Sequence, residues 1–415
     1  MARILLLAAT TGYQTRMFAD AARRLGFDVV LATDRCHVLE DPWGDRAIPV
    51  RFEDPHGSRD TLAKTGPFDG IVAVADRPTL IAALTGETLS IRFHPPSAVA
   101  ACRDKFLARK AFQSAGLLVP DFFRISINTD PREALDRADF PCVLKPLGLS
   151  GSRGVIRANN AEEFAGAFAR VRALLESTDI AALREEQNRY IQIEKYIPGR
   201  EFALEGIVTE GELRVLAIFD KPDPLDGPFF EETIYVTPSL ASDESQNAMI
   251  AATQKAVRAL GLTDGPIHAE ARVNEEGVWI LEVAARPIGG LCARTLRFQP
   301  DMSLEELILR HAAGEDISKA RLADGASGVM MIPIPKAGIY VRVEGTEKAG
   351  AIPDIEDVVI TAKEGQSIVP LPEGASYLGF IFARARTPQL VERALREAHA
   401  CLQFEIATAL PVARR

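Results

Sequence analysis

The stretch PCVLKPLGLSGSRGV, residues 141–155, decides how the rest of the chain is interpreted. It opens as a short apolar strand with Lys145 at its end and continues as a loop of small residues that includes Gly148, Ser150, Gly151, Ser152 and Gly154. Glycines allow positive φ and close approach of a ligand, and successive N–H groups in such a loop form a concave anion site. Lys145 and the loop therefore predict a phosphate site. A mobile hairpin tip is the alternative, and the loop is not a Walker A motif because no Gly-Lys-Ser/Thr opens a helix here.

Composition and charge limit the class of protein. The 415 residues are enough for two to four domains at roughly 150 residues per domain. A formal net charge of -9 argues against a general nucleic-acid binder. The five cysteines are scattered and contain no CxxC pair, which favours a reducing compartment over a zinc site or a disulfide framework. Since no apolar run approaches the ~20 residues that span a bilayer, we expect a cytoplasmic protein with neither a membrane nor a nucleic-acid partner.

Three apolar runs near the N terminus predict buried parallel strands, at residues 3–9, 27–32 and 70–75. A helical segment over residues 15–25 lies between the first two runs and is closed by a glycine. This alternation is typical of a doubly wound α/β sheet, which binds ligands at the carboxyl ends of its strands. The loop at residues 10–13 is therefore a candidate ligand contact. A plain connection is equally consistent with the sequence, because no GxGxxG is present.

Two short helices are predicted after the turn at residues 94–97, one capped by Ser97 and one over residues 104–114. Lys105 falls in the first turn of the second helix, where the helix dipole disfavours a positive charge. Either it is a surface lysine that tolerates this position, or it points at a phosphate group.

The segment EKYIPGREF, residues 194–202, joins two predicted strands. Pro198 and Gly199 predict the turn between them. Glu194 and Glu201 flank this hinge, and its backbone groups are available to pair with the edge of a purine.

Residues 267–284 form two runs in which apolar and polar side chains alternate, which predicts an antiparallel hairpin. With a three-residue loop that ends in glycine, Asn274 pairs with Val278. Glu270 then falls directly opposite Glu282 on the same face, with Cβ atoms about 4.5–5.5 Å apart.

Two carboxylates so placed repel each other, so the pair requires protonation or a cation. Mg²⁺ fits, because it accepts one or two carboxylates and completes its shell with water and phosphate oxygens. A solvent-facing acidic pair, or a longer loop that changes the register, is the alternative. His268 lies on the same face as Glu270, and Arg286 continues the face of Glu282. An arginine beside the amides that end at Gly290 suits an anionic oxygen.

The remaining patterns predict ordinary structural elements. Asn159 or Asn160 caps a helix over residues 161–175, and Ser303 with Glu306 forms a capping box. From residue 325 the chain predicts a closing α+β domain without obvious chemistry, with strands at 329–334, 338–343, 358–361 and 378–383 and a helix at 388–402.

Taken in order, these features resemble the ATP-grasp superfamily, and the resemblance covers nearly the whole chain. It is carried by the Lys105 helix, the Val143-Leu144-Lys145-Pro146 strand with its glycine loop, the Glu194 hinge, Glu201 seven positions later, and the Glu270/Glu282 pair twelve positions apart. The sequence EVAARPIGG, residues 282–290, is most similar to the L-amino-acid ligase group. The tail is similar to the C-terminal domain of biotin carboxylase.

The resemblance implies three domains. An α/β N-terminal domain resembling the pre-ATP-grasp domain would occupy residues 1–95. An α+β ATP-grasp fold would occupy residues 96–312, with the glycine-rich lid subdomain in the region 147–210. A C-terminal α+β domain would occupy residues 313–415.

The resemblance also implies ATP and Mg²⁺, with Mn²⁺ as an alternative ion, and gives each candidate residue a role. By position, Lys105, Lys145 and the loop Gly148 to Gly154 would contact the phosphates, Glu194, Lys195 and Ile197 the adenine, and Glu201 the ribose. Glu270 and Glu282 would hold the metal ion, with His268 as a further cofactor contact. Arg286, Gly290 and Lys145 would be the catalytic residues. There is one departure. Ala284 stands where many members have Asn, which weakens the case for a second Mg²⁺ site.

The function that this resemblance implies is an ATP-dependent carboxylate–amine ligase. It would form an amide through an acyl phosphate, release ADP and phosphate, and act on small-molecule carboxylates and amines, as a homodimer. Two alternatives stay open: a carboxylase or purine-pathway enzyme that activates bicarbonate or formate, and a nucleotide-binding protein without turnover. A biotin carboxylase is disfavoured, because the return strand lacks the acid-and-His sequence expected after its metal glutamate.

Overall fold

The computed structural model describes residues 1–9, 13–34 and 47–408. The candidate ligand loop at residues 10–13 lies, apart from the backbone of Tyr13, outside the described residues, as does Cys36. Within the described ranges, no helix has both the length and the hydropathy needed to cross a membrane.

The helices of the described residues are, in chain order, α1 Tyr13–Leu25, α2 Pro55–Ala63, α3 Asp76–Leu89, α4 Pro96–Cys102, α5 Lys105–Ser114, α6 Arg132–Leu135, α7 Ala161–Leu175, α8 Thr178–Ala181, α9 Asp243–Leu260, α10 Leu304–Ala312, α11 Thr346–Gly350 and α12 Pro388–Ala400. Two 3₁₀ turns are found at Glu186–Arg189 and Cys292–Thr295.

The strands, in the same order, are β1 Arg3–Ala8, β2 Asp28–Thr33, β3 Ile48–Pro49, β4 Gly70–Val74, β5 Phe122–Ser126, β6 Cys142–Pro146, β7 Ile156–Ala158, β8 Tyr190–Lys195, β9 Arg200–Thr209, β10 Glu212–Asp220, β11 Ile234–Thr237, β12 Gly265–Asn274, β13 Gly277–Ala284, β14 Arg297–Phe298, β15 Met302–Ser303, β16 Ala326–Ile332, β17 Gly338–Glu344, β18 Ile355–Ile360, β19 Ser367–Ile368, β20 Gly379–Ala385 and β21 Gln403–Ala407.

Helix caps follow the sequence closely, with one correction. Asn160 is the N-cap of α7, because its side chain accepts a hydrogen bond from the N–H of Glu163. The capping box of Ser303 and Glu306 is present at the start of α10. The prediction that Ser97 caps α4 is wrong: Pro95 is the N-cap, and proline at the first helical position leaves Ser97 inside the helix.

The first compact unit combines the segments Met1–Val119, Phe202–Ile218 and Ser242–Ala323. Its N-terminal sheet has the order β3-β2-β1-β4 and is parallel, which confirms the predicted doubly wound arrangement. Strand β1 is buried along nearly its whole length, as its continuous apolar run requires. Further along the chain, β13, β12, β9 and β10 are neighbours in that order.

Close packing in the first unit explains one glycine of β4. A Cβ on Gly70 would lie 2.4 Å from the carbonyl oxygen of Ala312 in α10. Since real Cβ atoms do not approach a backbone oxygen so closely, any larger residue here would separate the helix from the sheet.

The second compact unit combines Pro120–Glu201, Phe219–Ala241 and Asp324–Arg415. Its antiparallel sheet β5-β8-β6-β7 carries the glycine loop between β6 and β7. Helix α7 covers one face of this sheet, with Phe164 and Phe168 fully buried against the strands. These aromatic side chains anchor the sheet from which Lys145 and Glu194 extend.

The C-terminal part of the second unit is built from the neighbouring strands β11-β16-β20-β18 and from the small sheet β19-β17-β21. Helix α12 packs on these strands through Val391 and Leu395, both fully buried. The predicted strands and helix of the tail are thereby confirmed. The predicted domain boundaries at residues 95 and 312 stay predictions.

Candidate active site

The carboxylate pair of the first unit has the predicted register. Glu270 of β12 lies directly opposite Glu282 of β13, and each side chain is 25% exposed. The predicted loop is wrong, however. Asn274 pairs with Gly277 rather than with Val278, so the turn has two residues, and a bulge between Glu270 and Ala271 restores the register.

Lys105 contacts this pair. Its Nζ lies 3.1 Å from Oε2 of Glu282, at the first position of α5. Asp104 caps the helix by accepting hydrogen bonds from the N–H groups of Phe106 and Leu107. Its negative charge therefore offsets the helix dipole, which disfavours a lysine at this position. The local structure therefore shows a lysine held against a carboxylate, and contact with a phosphate remains a prediction.

His268 bridges two carboxylates. Its Nδ1 lies 3.1 Å from Oε2 of the fully buried Glu205, and its Nε2 lies 3.7 Å from Oε1 of Glu270. Burial lowers the pKa of His268, but the hydrogen bonds to the two carboxylates outweigh burial and raise that pKa to about 9. The sequence analysis did not identify Glu205. A single charged residue inside the apolar run 202–208 was the signal that could have found it.

Arg286 forms a bidentate ion pair with Asp76. Its Nε donates to Oδ1 at 3.0 Å and its Nη2 donates to Oδ2 at 3.2 Å, while its Nη1 donates to the carbonyl oxygen of Pro287. Burial lowers the pKa of Arg286, but the charge of Asp76 more than offsets this and raises it. These bonds use three of the five guanidinium N–H donors, so the fork keeps donors for an anion.

Asp76 was also missed by the sequence analysis. It opens α3 at the carboxyl end of β4, the edge where α/β sheets bind ligands. Burial raises the pKa of Asp76, and Arg286 outweighs burial and lowers it. The residue before it, Ala75, has φ of +70°, a conformation that costs a non-glycine residue energy and that clusters at functional sites.

These residues fit a divalent metal ion. Glu270 and Glu282 offer carboxylate oxygens from facing positions, partly exposed, which is the donor chemistry that Mg²⁺ prefers. Two like charges so close repel each other, and a cation between them would relieve that repulsion.

In the second unit, Lys145 and Glu194 form an ion pair. Their strands β6 and β8 are antiparallel neighbours, and the Nζ of Lys145 donates to Oε1 of Glu194, which is 2% exposed. Gln192 donates to the other carboxylate oxygen at 2.8 Å. Two candidates that lie 49 positions apart in sequence are thus brought together.

The hinge after β8 is only partly as predicted. The N–H of Lys195 donates to the carbonyl oxygen of Asp121, and the N–H of Tyr196 donates to that of Pro141. These two amides are therefore not available to a purine, contrary to the expectation for the whole hinge. Ile197 is buried, and the ammonium of Lys195 pairs with a surface carboxylate.

Glu201 belongs to a buried charged cluster. Its Oε1 accepts a hydrogen bond at 2.8 Å from the Nζ of Lys221, which also donates to Glu232. The side chain of Lys221 is 3% exposed. A lysine so buried needs partners of opposite charge, and the two glutamates provide them. Lys221 was not named from the sequence, although a lysine directly after strand β10, one residue beyond its apolar run, was a visible signal.

The glycine loop requires glycine at two positions. Gly151 and Gly154 have φ of +63° and +74°, in the left-handed region. A Cβ on Gly154 would also lie 2.7 Å from the ring of Pro146. Ser152, at φ of +54°, adopts the same region without being glycine.

The two ends of this loop differ in how they are held. At its C-terminal end, the N–H of Gly154 donates to the carbonyl oxygen of Pro372 at 2.8 Å, and Nε of Arg153 donates to that of Glu373 at 2.9 Å. Gly148, at the other end, lies against the side chain of Gln187. The tip, at residues 150–151, is exposed.

Two family models match the chain. Residues 138–295 match an ATP-grasp domain, and residues 330–407 match L-amino acid ligase C-terminal domain 2. The first match contains both carboxylates of the hairpin and the Lys145–Glu194 pair.

Three individual proteins are similar over much of the chain. The uncharacterized protein y4rH of Sinorhizobium fredii is 24% identical over 409 residues, which are 95% of this chain and 82% of that protein. Alanine–anticapsin ligase of Bacillus subtilis is 28% identical over 306 residues, or 69% of this chain, and the match spans 61% of that relative's length. The crystal structure of L-amino acid ligase from Bacillus licheniformis has a TM-score of 0.84 at 25% identity, covering 98% of this chain and 99% of that chain.

Proposed function

We propose that this chain, which contains an ATP-grasp domain and an L-amino acid ligase C-terminal domain, joins a small-molecule carboxylate to an amine. The carboxylate oxygen takes the γ-phosphoryl group of ATP, which gives an acyl phosphate and ADP. The amine nitrogen then attacks the carbonyl carbon, the bond from that carbon to the phosphate oxygen breaks, and the amide and phosphate are released. The similarity to alanine–anticapsin ligase supports amino acids or amino-acid-like compounds as substrates.

The observation that carries this proposal is the facing pair Glu270 and Glu282 with Lys105 beside it. Phosphoryl transfer is catalysed mainly by positioning and by neutralising charge on the phosphate oxygens. Glu270 and Glu282 would hold Mg²⁺, which would neutralise charge on the phosphate oxygens. Lys105 lies close enough to Glu282 to share this task.

In the second unit, we assign nucleotide contacts to the residues that the sequence analysis selected. Lys145 would hold phosphate oxygens, and its ion pair with Glu194 fixes the ammonium at the end of β6. The exposed tip of the glycine loop would close over the phosphates and exclude water, which otherwise hydrolyses an acyl phosphate. Glu201 would contact the ribose, with its carboxylate held by Lys221.

Arg286 is the proposed catalytic residue for the second step. The tetrahedral intermediate places negative charge on the former carbonyl oxygen, and donors fixed in advance stabilise such charge most effectively. Asp76 fixes the guanidinium from one side, which leaves its remaining N–H donors to that oxygen. The amide of Gly290, two residues beyond Ile288, would add a second donor.

The alternative within the family is an enzyme that activates bicarbonate or formate. The sequence after Glu282 lacks the acid-and-His pattern of biotin carboxylase, and the C-terminal match is to an L-amino acid ligase domain. Both observations favour the ligase.

A substrate panel tests the proposal. The protein is incubated with ATP and Mg²⁺ and with pairs drawn from a set of amino acids, with bicarbonate and formate as separate arms, and phosphate release is measured. The proposal expects release that requires two organic substrates together, with an amide detected by mass spectrometry. Release that needs only bicarbonate or formate, or none with any pair, would reject it.

A further inference from the structure

Glu205 is an unusual residue for its position. It lies in the middle of β9, its side chain is 0% exposed, and its neighbours from Phe202 to Val208 are all apolar. A carboxylate buried in this way loses its hydration, and an apolar residue of similar volume would usually serve the fold as well or better. The fold alone therefore does not account for the carboxylate.

Both oxygens of Glu205 are engaged by donors from two different segments. Oε2 lies 3.1 Å from Nδ1 of His268, and the N–H of Ile288 donates to Oε1 at 3.1 Å and to Oε2 at 3.2 Å. A carboxylate is an acceptor only, so the ring nitrogen that faces Glu205 must carry a proton. This contact fixes the orientation of the imidazole and keeps a proton on Nδ1.

The two segments held by Glu205 carry the groups that the proposed reaction uses. His268 lies two residues before Glu270 on β12, with Nε2 facing that carboxylate at 3.7 Å. Ile288 lies two residues after Arg286, at the start of the glycine segment. One carboxylate thus ties the metal-binding face of the hairpin to the segment that follows the arginine.

We propose that Glu205 is a positioning residue of the ligase reaction, an inference that rests on the proposed function. It holds His268 and the amide of Ile288 at the same time, so that Glu270 and Arg286 keep a fixed alignment while phosphate is transferred and the amine attacks. Partners of this kind, which orient the residues around a metal, typically change activity or metal affinity by about 10- to 100-fold when they are replaced.

The test uses Glu205→Gln in the full chain, with ¹⁵N-labelled histidine. In the wild type, NMR should show a proton on Nδ1 of His268 that exchanges slowly with solvent, because the carboxylate of Glu205 accepts it. Glutamine lacks the negative charge that strengthens this hydrogen bond, so in the variant the Nδ1 proton should exchange faster and its signal should shift upfield. The His268→Asn spectrum assigns the signal among the six histidines.

Steady-state kinetics provide the second readout. The variant should lose about 10-fold or more in kcat, while KM for ATP changes by less than about threefold, because ground-state binding of the nucleotide is retained. Glu305→Gln is the matched control. Glu305 is also buried in the first unit, at the start of α10, and its replacement should change neither the His268 signal nor kcat.

The proposal is overturned if wild-type His268 has no proton on Nδ1, a result that needs no stable Glu205 variant. It is also overturned if Glu205→Gln leaves the exchange rate and chemical shift of that proton unchanged and turns over at the wild-type rate. If the turnover of the wild type does not depend on a carboxylate and an amine, the proposed function is rejected instead. The NMR signal of His268 would then still show whether Glu205 orients its ring.

Discussion

Glu282 has two partners whose charges oppose each other. Glu270 faces it across the hairpin, and the ammonium of Lys105 lies 3.1 Å from its Oε2. The repulsion between the two carboxylates destabilises the protein without metal. The same negative charge would strengthen the binding of a metal ion. Its replacement should therefore separate function from stability.

We expect Glu282→Gln to fold with a melting temperature equal to or slightly above that of the wild type, because the repulsion with Glu270 is relieved. Turnover should fall by roughly 10²-fold or more, the scale of losing one preorganised electrostatic contact. The apparent Mg²⁺ affinity should fall as well. Glu276→Gln, in the exposed turn of the same hairpin, is the control. Near-normal turnover of Glu282→Gln at low Mg²⁺ would remove the metal assignment.

Lys145 is bound to Glu194 in the structure, so its removal has two consequences. The proposed phosphate site loses a positive charge, and a carboxylate that is 2% exposed loses its cation. Removing one partner of a buried ion pair destabilises a protein by about 3–5 kcal/mol in other systems. With Lys145 replaced alone, a loss of nucleotide affinity could not be distinguished from a loss of stability.

The double variant Lys145→Met/Glu194→Gln avoids this problem by removing both charges. We expect it to melt close to the wild type and to bind an ATP analogue more weakly in calorimetry. Arg189→Met, which breaks the exposed ion pair with Glu186 just before β8, should leave the affinity unchanged. Equal affinity in the double variant and the wild type would contradict the role of Lys145 in phosphate binding.

At the scale of elements, the hairpin β12–β13 shows what alternation in a sequence can and cannot predict. Alternation placed Glu270 and Glu282 on one face, and the structure confirms their pairing. The predicted loop length was wrong, and the bulge beside Glu270 compensates for the shorter turn. A bulge changes the register by one residue without leaving a clear pattern in the sequence, so the local geometry was not predictable even though the pair was.

The glycine loop is expected to be cut at its tip. Residues 150–151 are exposed, while Gly154 is held by the carbonyl oxygen of Pro372. Limited proteolysis of the apo protein should therefore cleave near the tip rather than at the C-terminal end of the loop. ATP with Mg²⁺ should slow that cleavage if the tip closes over the nucleotide. Identical cleavage with and without nucleotide would contradict a lid.

The free energy of unfolding should depend on pH because of His94, which contacts the segment just before β12. This residue is 1% exposed, and its Nδ1 accepts a hydrogen bond from the N–H of Thr263. Burial lowers the pKa of His94 to about 4. Between about pH 4 and 6.5 the unfolded chain binds the proton and the folded chain does not, so stability falls as the pH decreases through this range.

The comparison with His94→Asn isolates this effect, since asparagine does not titrate there and can still accept from Thr263. The free energy of unfolding of the wild type relative to the variant should be constant above about pH 6.5. It should then decrease by up to about 1.4 kcal/mol per pH unit toward pH 4. Denaturant titrations at a series of pH values measure this difference in the free energy of unfolding. If the difference between wild type and variant does not change with pH, His94 is not buried in its neutral form.

At the scale of the whole molecule, the order of motifs along the chain was enough to recognise the ATP-grasp domain, which a family model matches over residues 138–295. Pairs within one hairpin or on adjacent strands, such as Glu270 with Glu282, follow from register. Contacts made by distant segments do not. Asp76 meets Arg286 across 210 positions, and Glu205 meets Ile288 across 83. Neither residue lies in a motif. The single charge inside the apolar run 202–208 marks Glu205 in the sequence, but its partners become visible only in the folded chain.

The most direct test of the central claim follows the oxygen atoms of the reaction. With a substrate pair found in the panel, the acid is labelled with ¹⁸O in its carboxylate, and the released phosphate is analysed by mass spectrometry. An acyl phosphate that is broken by an amine transfers one ¹⁸O from the carboxylate to phosphate, and the amide keeps the other. We expect one ¹⁸O atom in each released phosphate and one ¹⁸O atom in the carbonyl group of each amide. Amide formation with unlabelled phosphate would contradict it.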